Sequence, residues 1–254
     1  MLRSTRTLAP MRPFLFLAVR PEDGAADDEY AAMLRFTGLD RSTLRRVRLE
    51  RERLVDVDLD DWSGIVLGGG PYQSSDPADT KSEVQRRIER DLRRLLDLVV
   101  PADFPFFGAC YGIGTLGTHI GAVVDRTYGE PAGGIEVTLT DEGRIDPVLG
   151  IAPPAFGAFV GHKEAIASLP ANAVPLATSA VAPVQAFRIG TRVYATQFHP
   201  ELDLDGLISR VTIYRNEGYF RSEELDEVIA AARATGIQEP PNFLGRFVEL
   251  FARR

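Results

Sequence analysis

The run from Phe106 to Gly114, FFGACYGIG, leaves a folding chain few options. Pro105, Phe106 and Phe107 make a short apolar segment that reads as a buried strand, and the residues after Cys110 read as a helix. Gly108 and Gly112 bracket the chain's only cysteine, two residues away on either side. That spacing is the pattern of a nucleophile elbow, a tight and strained reversal where neighbouring backbone comes so close that side chains at both flanking positions would clash. A thiol held there points outward above the sheet, while the start of the next helix favours the thiolate and supplies N–H groups for an oxyanion. A lone cysteine is more commonly a buried small hydrophobe; the glycine bracket argues against that reading.

A second run bears on the same chemistry. Arg192 to Phe198 alternates apolar and polar residues as a strand does, and it ends at His199-Pro200-Glu201. A cysteine nucleophile needs a base, and the base needs a partner that fixes its tautomer. His199 and Glu201 suit those roles, because residues two apart on an extended segment share a face. Taken alone, the same residues also fit a strand-end histidine beside a solvated carboxylate. Upstream, Gly64 to Leu67 reads as a buried parallel strand, and Gly68, Gly69 and Gly70 before Pro71 form a loop whose amides no side chain shields. Such a loop can aim N–H donors at a developing oxyanion. It is not a phosphate loop, since no Gly-Lys-Ser/Thr follows.

Around these runs, strand-like and helix-like segments alternate. Residues 14–19, 45–50 and 64–68 read as strands, and 28–36 as a helix. Thr80 and Glu83 form a capping box for a helix reaching about Leu98, with Val84, Ile88, Leu92, Leu95 and Val99 as its apolar stripe and local Arg pairings to Glu83, Glu89 and Asp91. The pattern predicts an α/β fold, a largely parallel twisted sheet with helices on both faces and the site beyond the carboxyl ends of the strands. Residues 1–12 are expected to be a flexible lead-in and 13–254 one domain with a helical extension from about 202: helices at 202–216 and 222–236, then a stripe of Phe243, Leu244, Phe247, Leu250 and Phe251 for core or dimer packing. Arg3, Arg6 and Arg12 precede PFLFLAV, but that run is too short for a secretory signal and reads as the first core strand. A net charge of −7 gives no electrostatic reason to expect nucleic acid. One cysteine excludes an intrachain disulfide and suits a reducing cytoplasm. No metal-ligand cluster or membrane segment is evident, and Trp62 and His119 are read as structural.

In the order GGGP, GACYG, QFHPE, the three motifs resemble the class I, triad-type glutamine amidotransferases, closest to the amidotransferase domain of GMP synthases. The resemblance spans roughly residues 60–203 and extends to VTLTDEG at 137–143, GHKEAIASLP at 161–170 and VQAFRIG before the last strand. It implies a flavodoxin-like class I amidotransferase fold with Cys110 as nucleophile, His199 as base and Glu201 as its orienting carboxylate. The backbone amides of Gly69 or Gly70 and of Tyr111 would form the oxyanion hole. Gly114 stands where the family commonly has a substrate-holding Gln, leaving a space beside the thiol. Gly161, His162 and Lys163 occupy the segment that reads the substrate's amino-acid end in relatives. No cofactor or metal is implied.

Three functions follow from this reading. The first is a free-standing glutaminase subunit that delivers ammonia to a separate synthase or acceptor chain. The second is a γ-glutamyl peptidase acting on glutathione-like compounds, which would tolerate Gly114. The third is a non-enzymatic binding protein on the same scaffold, which would not need Cys110, His199 and Glu201 together. The ligand is glutamine or another γ-glutamyl compound, with neither nucleic acid nor membrane as a partner; a homodimer is the expected self-association.

Overall fold

The computed structural model describes residues 11–216 and 220–254. The expected lead-in therefore lies, up to residue 10, outside the described residues. Chain order runs β1 (Phe14–Ala18), α1 (Asp23–Thr37), β2 (Leu44–Arg48), β3 (Gly64–Leu67), α2 (Glu83–Val99), β4 (Phe106–Ala109) and α3 (Tyr111–His119). Then come β5 (Val123–Asp125), β6 (Glu130–Leu139), α4 (Asp141–Ile145), β7 (Ala155–His162), β8 (Ala165–Ser168), β9 (Ala173–Ser179), β10 (Ala186–Ile189) and β11 (Val193–Thr196). Three helices close the described chain: α5 (Leu204–Ile213), α6 (Leu225–Ala234) and α7 (Phe243–Phe251).

Nine strands form one sheet in the order β2-β1-β3-β4-β11-β10-β9-β6-β7. The first five are mutually parallel, and from β10 onward each strand is added antiparallel to its neighbour. β1 shows why helices cover both faces. Its Phe14 and Phe16 pack with Tyr30, Met33 and Phe36 of α1, whereas Leu15 and Leu17 pack on the opposite face with Ile88, Leu92 and Leu95 of α2. A strand buried on both sides must be apolar at every position, and β1 is. Each such side chain contributes roughly 1.5–3 kcal/mol by leaving water.

Several boundaries differ from the sequence reading for local reasons. α2 is capped by Ser82, whose hydroxyl accepts from Gln85 N at 3.1 Å; Thr80 lies too early and donates to Pro77 O instead. Val84 is exposed, so the stripe begins at Ile88 and includes Leu96. Among the α2 arginines Arg94 pairs with Asp91 at 2.7 Å, but Arg87 reaches across to the carbonyls of Leu49 and Glu52. The segment after Ser222 starts as a single 3₁₀ turn before α6. α7 is core: Phe247 meets Phe14 and Phe107 ring to ring at 6.2 and 5.5 Å. Among the described residues no helix is long and apolar enough to cross a membrane.

Candidate active site

The elbow forms where β4 runs into α3. Cys110 sits between them with φ 52° and ψ −96°, a conformation L residues adopt only under constraint, and its N–H is fixed to Thr196 O of β11 at 2.8 Å. The bracketing glycines are needed sterically. A Cβ on Gly108 would lie 2.9 Å from the Gly112 carbonyl carbon, and one on Gly112 would lie 3.2 Å from Leu67 O.

His199 follows β11, the parallel neighbour of β4, and is also bonded outward to the antiparallel strands. Its N–H donates to Phe159 O of β7 at 3.0 Å, so the base is tied to the antiparallel half while β4 carries the thiol. The ring and Cys110 line the same cavity, both adjoining Gly69, and its Nδ1 meets Glu201 Oε1 at 2.8 Å. An ionised carboxylate can only accept, so Nδ1 carries the hydrogen and Nε2 is left for proton transfer. Burial disfavours the imidazolium, yet the Glu201 carboxylate and the Cys110 sulfur outweigh it and raise the His199 pKa to about 9. Glu201 is fully buried; burial pushes its pKa up, and the facing His199 and Arg210 charges push it further down, well below the usual carboxylate range. The geometry therefore favours an imidazolium at His199 backed by a permanent anion at Glu201.

The glycine loop after β3 closes over this pair. Gly68 N still donates to Leu17 O, and the chain then passes so near the site that a Cβ on Gly69 would stand 2.8 Å from His199 Cε1 and 3.3 Å from Cys110 Cβ. Gly70 is packed on Val19, where a Cβ would overlap Cγ2. Tyr111 opens α3, so its amide belongs to the unpaired first turn of that helix. Gly69, Gly70 and Tyr111 thus surround the thiol with backbone.

The residues expected to hold substrate are arranged differently. Gly161 lines the cavity beside Cys110 and His199. His162 instead points into a buried polar network: Nε2 meets Glu130 Oε2 at 2.9 Å, Nδ1 meets Glu164 O at 2.8 Å, and Ser179 and Gln185 also donate to Glu130. Its side chain supports the β6–β7 pair and does not reach the cavity. Lys163 lies in the turn between β7 and β8. The space expected beside Gly114 is taken: Glu164 accepts from Ser74 N and Ser75 N at 2.7 Å each, and a Cβ on Gly114 would lie 2.7 Å from its Oε1. Glycine at 114 accommodates that carboxylate and leaves no open pocket.

Residues 34–207 match the family model described as glutamine amidotransferase class-I. The chain belongs to the class I glutamine amidotransferases. One of the subunits of the glutamine-hydrolysing GMP synthase of Natronomonas pharaonis is 30% identical over 172 residues, covering 66% of this chain and 83% of the relative. The corresponding GMP synthase subunit of Thermoplasma acidophilum is 29% identical over 172 residues, 63% of this chain and 79% of its own. Against the GMP synthase of Salmonella typhimurium, 27% identity extends over 146 residues, 55% of this chain and a quarter (25%) of that longer protein. A solved glutamine amidotransferase from Thermotoga maritima has the same fold, with a TM-score of 0.72 at 17% identity over 94% of this chain and 98% of its own. The solved structure of a Thermoplasma acidophilum protein described as a GMP synthase subunit gives 0.58 at 20% identity over 94% and 96%.

This class I amidotransferase surrounds its candidate site with charges that the sequence reading missed. Arg20, just beyond β1, pairs with Glu29 of α1 at 3.0 Å, and both side chains are buried. Arg210 of α5 donates to Glu201 Oε1 at 3.0 Å. One signal was available: Glu29 falls on the α1 face that carries Ala26, Tyr30 and Met33, and a carboxylate on an apolar stripe demands a buried partner.

Proposed function

We propose that the protein is a free-standing glutaminase subunit in which Cys110 attacks the side-chain amide carbon of glutamine. The observation that carries this reading is one cavity lined by both Cys110 and His199, with His199 bonded to the buried Glu201 and Gly69 against both reacting residues. The thiolate adds to the amide, and amides of Gly69 or Gly70 and of Tyr111 receive the oxyanion. His199, held as a cation by Glu201, gives its Nε2 proton to the departing ammonia. The neutral ring then takes a proton from water, which hydrolyses the γ-glutamyl thioester and releases glutamate. The names of the matched GMP synthase subunits support delivery of ammonia to a separate synthase chain.

A γ-glutamyl peptidase is the second reading, favoured by the Glu164 carboxylate filling the position beside Gly114. Ammonia and glutamate release from glutamine, and amine release from glutathione and γ-glutamyl dipeptides, separate the two. Turnover of glutamine that rises on adding a synthase chain supports the first; partner-independent cleavage of the dipeptides with glutamine inert supports the second. Cys110→Ala should lower either activity by about 10⁴-fold or more while leaving the circular dichroism unchanged. Near-normal turnover in that variant would end the cysteine mechanism.

A further inference from the structure

A triad of Cys110, His199 and Glu201 leaves the third charge at Glu201 unexplained. Glu201 Oε1 accepts from two donors, His199 Nδ1 at 2.8 Å and Arg210 Nη1 at 3.0 Å, and the two nitrogens stand 3.1 Å apart. A guanidinium therefore touches both the base and its carboxylate. Its position is set by α5 itself. Asp203 caps the helix, accepting from Gly206 N at 2.7 Å, and also pairs with Arg35 of α1 at 2.5 Å. Seven residues, two turns, separate Asp203 from Arg210, so the same face of α5 that is pinned to α1 presents Arg210 to the site. Leu207 and Val211 bury that face, and Glu29 of α1 stands 4.0 Å from Arg210 Nη2. The Arg210 side chain is 12% exposed.

We propose that Arg210 is a positioning residue of this site: by sharing Oε1 of Glu201 with His199 it fixes the carboxylate and divides the negative charge that the imidazole feels. The inference rests on the triad reading above. Its chemical use is balance. A histidine that faced Glu201 and a thiolate alone would hold its proton so firmly that it could release one to ammonia only slowly, and could not readily accept one from water. A fixed cation against Nδ1 opposes that tendency, and across the ring its charge also favours the thiolate. The other charged or titratable groups facing the pair are Cys110 from the elbow, Arg20 beyond β1, Glu29 from α1 and Tyr214 at the end of α5; Arg20 and Glu29 neutralise each other at 3.0 Å.

The sign of the effect follows. Without the Arg210 cation the thiol gives up its proton less easily, so the acid limb of the activity profile moves up. The imidazolium is no longer repelled and Oε1 is undivided, so the basic limb moves up too. The experiment measures, across pH, the rate at which iodoacetamide alkylates Cys110 and the kcat/KM for the best substrate found. It compares wild type with Arg210→Met, Arg210→Gln and Arg210→Lys. Expected are an upward shift of about half to one pH unit in both limbs for the Met and Gln variants, a fall of about tenfold or more in kcat/KM at the optimum, and return of the limbs toward wild type in Arg210→Lys. Should Arg210→Met fail to fold, Arg210→Gln carries the same test with a donor retained. Lower rates with limbs unmoved would reduce Arg210 to a packing role and overturn the inference while leaving the triad standing. An alkylation limb of wild-type Cys110 at the ordinary thiol value of about 8.5 would overturn the triad reading and this inference with it.

Discussion

Gly114→Ala is a substitution that helix propensity alone would favour, and the structure reverses the sign. Gly114 lies inside α3, where alanine is worth about 1 kcal/mol over glycine. The new Cβ, however, would stand 2.7 Å from Glu164 Oε1 and 3.0 Å from Ser74 Oγ. The serine hydroxyl has no hydrogen-bond partner among the described residues and can rotate away. The carboxylate cannot do so freely, because it holds Ser74 N and Ser75 N at 2.7 Å each and is buried. Displacing it forfeits most of two hydrogen bonds to a charged group, about 1.5–3 kcal/mol each. Against the helix gain this leaves a net loss of about 3 kcal/mol, or about 6–12 °C in Tm for a chain of this size. In a Glu164→Ala background the obstacle is gone, so the same Gly114→Ala change should stabilise, by up to about 1 kcal/mol. Urea unfolding of wild type, the two single variants and the double variant forms a complete cycle. Additive effects, with Gly114→Ala costing the same in both backgrounds, would refute the claim that Glu164 is what requires the glycine.

Two further outcomes are expected. His199 binds its proton more tightly folded (pKa about 9) than unfolded (about 6.5), so its stabilising contribution is complete below about pH 6.5 and is lost as pH rises through about 9; chemical denaturation should show that decline in wild type and a flatter profile in His199→Gln, and an equal slope in both would contradict it. Gly69→Ala places a methyl 2.8 Å from His199 Cε1 and 2.9 Å from Arg20 Nη2, both buried, so Tm should fall and kcat/KM should fall by about 100-fold or more; unaltered kinetics would show that the loop does not confine the base.

Where local chemistry decides the conformation, the sequence was legible. Gly108 and Gly112 announced the elbow because close backbone approach tolerates nothing larger, and β1 declared itself buried on both faces by having no polar position. Residues that act across the fold were hidden. Arg210 looks like any solvated helix arginine until α5 is docked on α1, and Glu164 gives no sign in the sequence that its carboxylate will cross to the Ser74 and Ser75 amides some ninety positions away. His162 shows the opposite error. A histidine inside a recognisable motif invites a ligand role, but the β6–β7 pairing places Glu130 opposite it, and a buried carboxylate claims the nearest donor.

The tie between His199 N and Phe159 O divides labour within the sheet. The nucleophile and the glycine loop belong to the parallel half, whereas Gly161, which walls the cavity, belongs to the antiparallel extension, and the base is stitched across the boundary between them. The reacting groups are thus anchored in the parallel half, while the cavity around them is walled by Val160 and Gly161 of β7 together with Leu207, Arg210 and Val211 of α5. A change of spacing in β7 would therefore reach His199 through the carbonyl at 159 as well as through the cavity wall at 160 and 161.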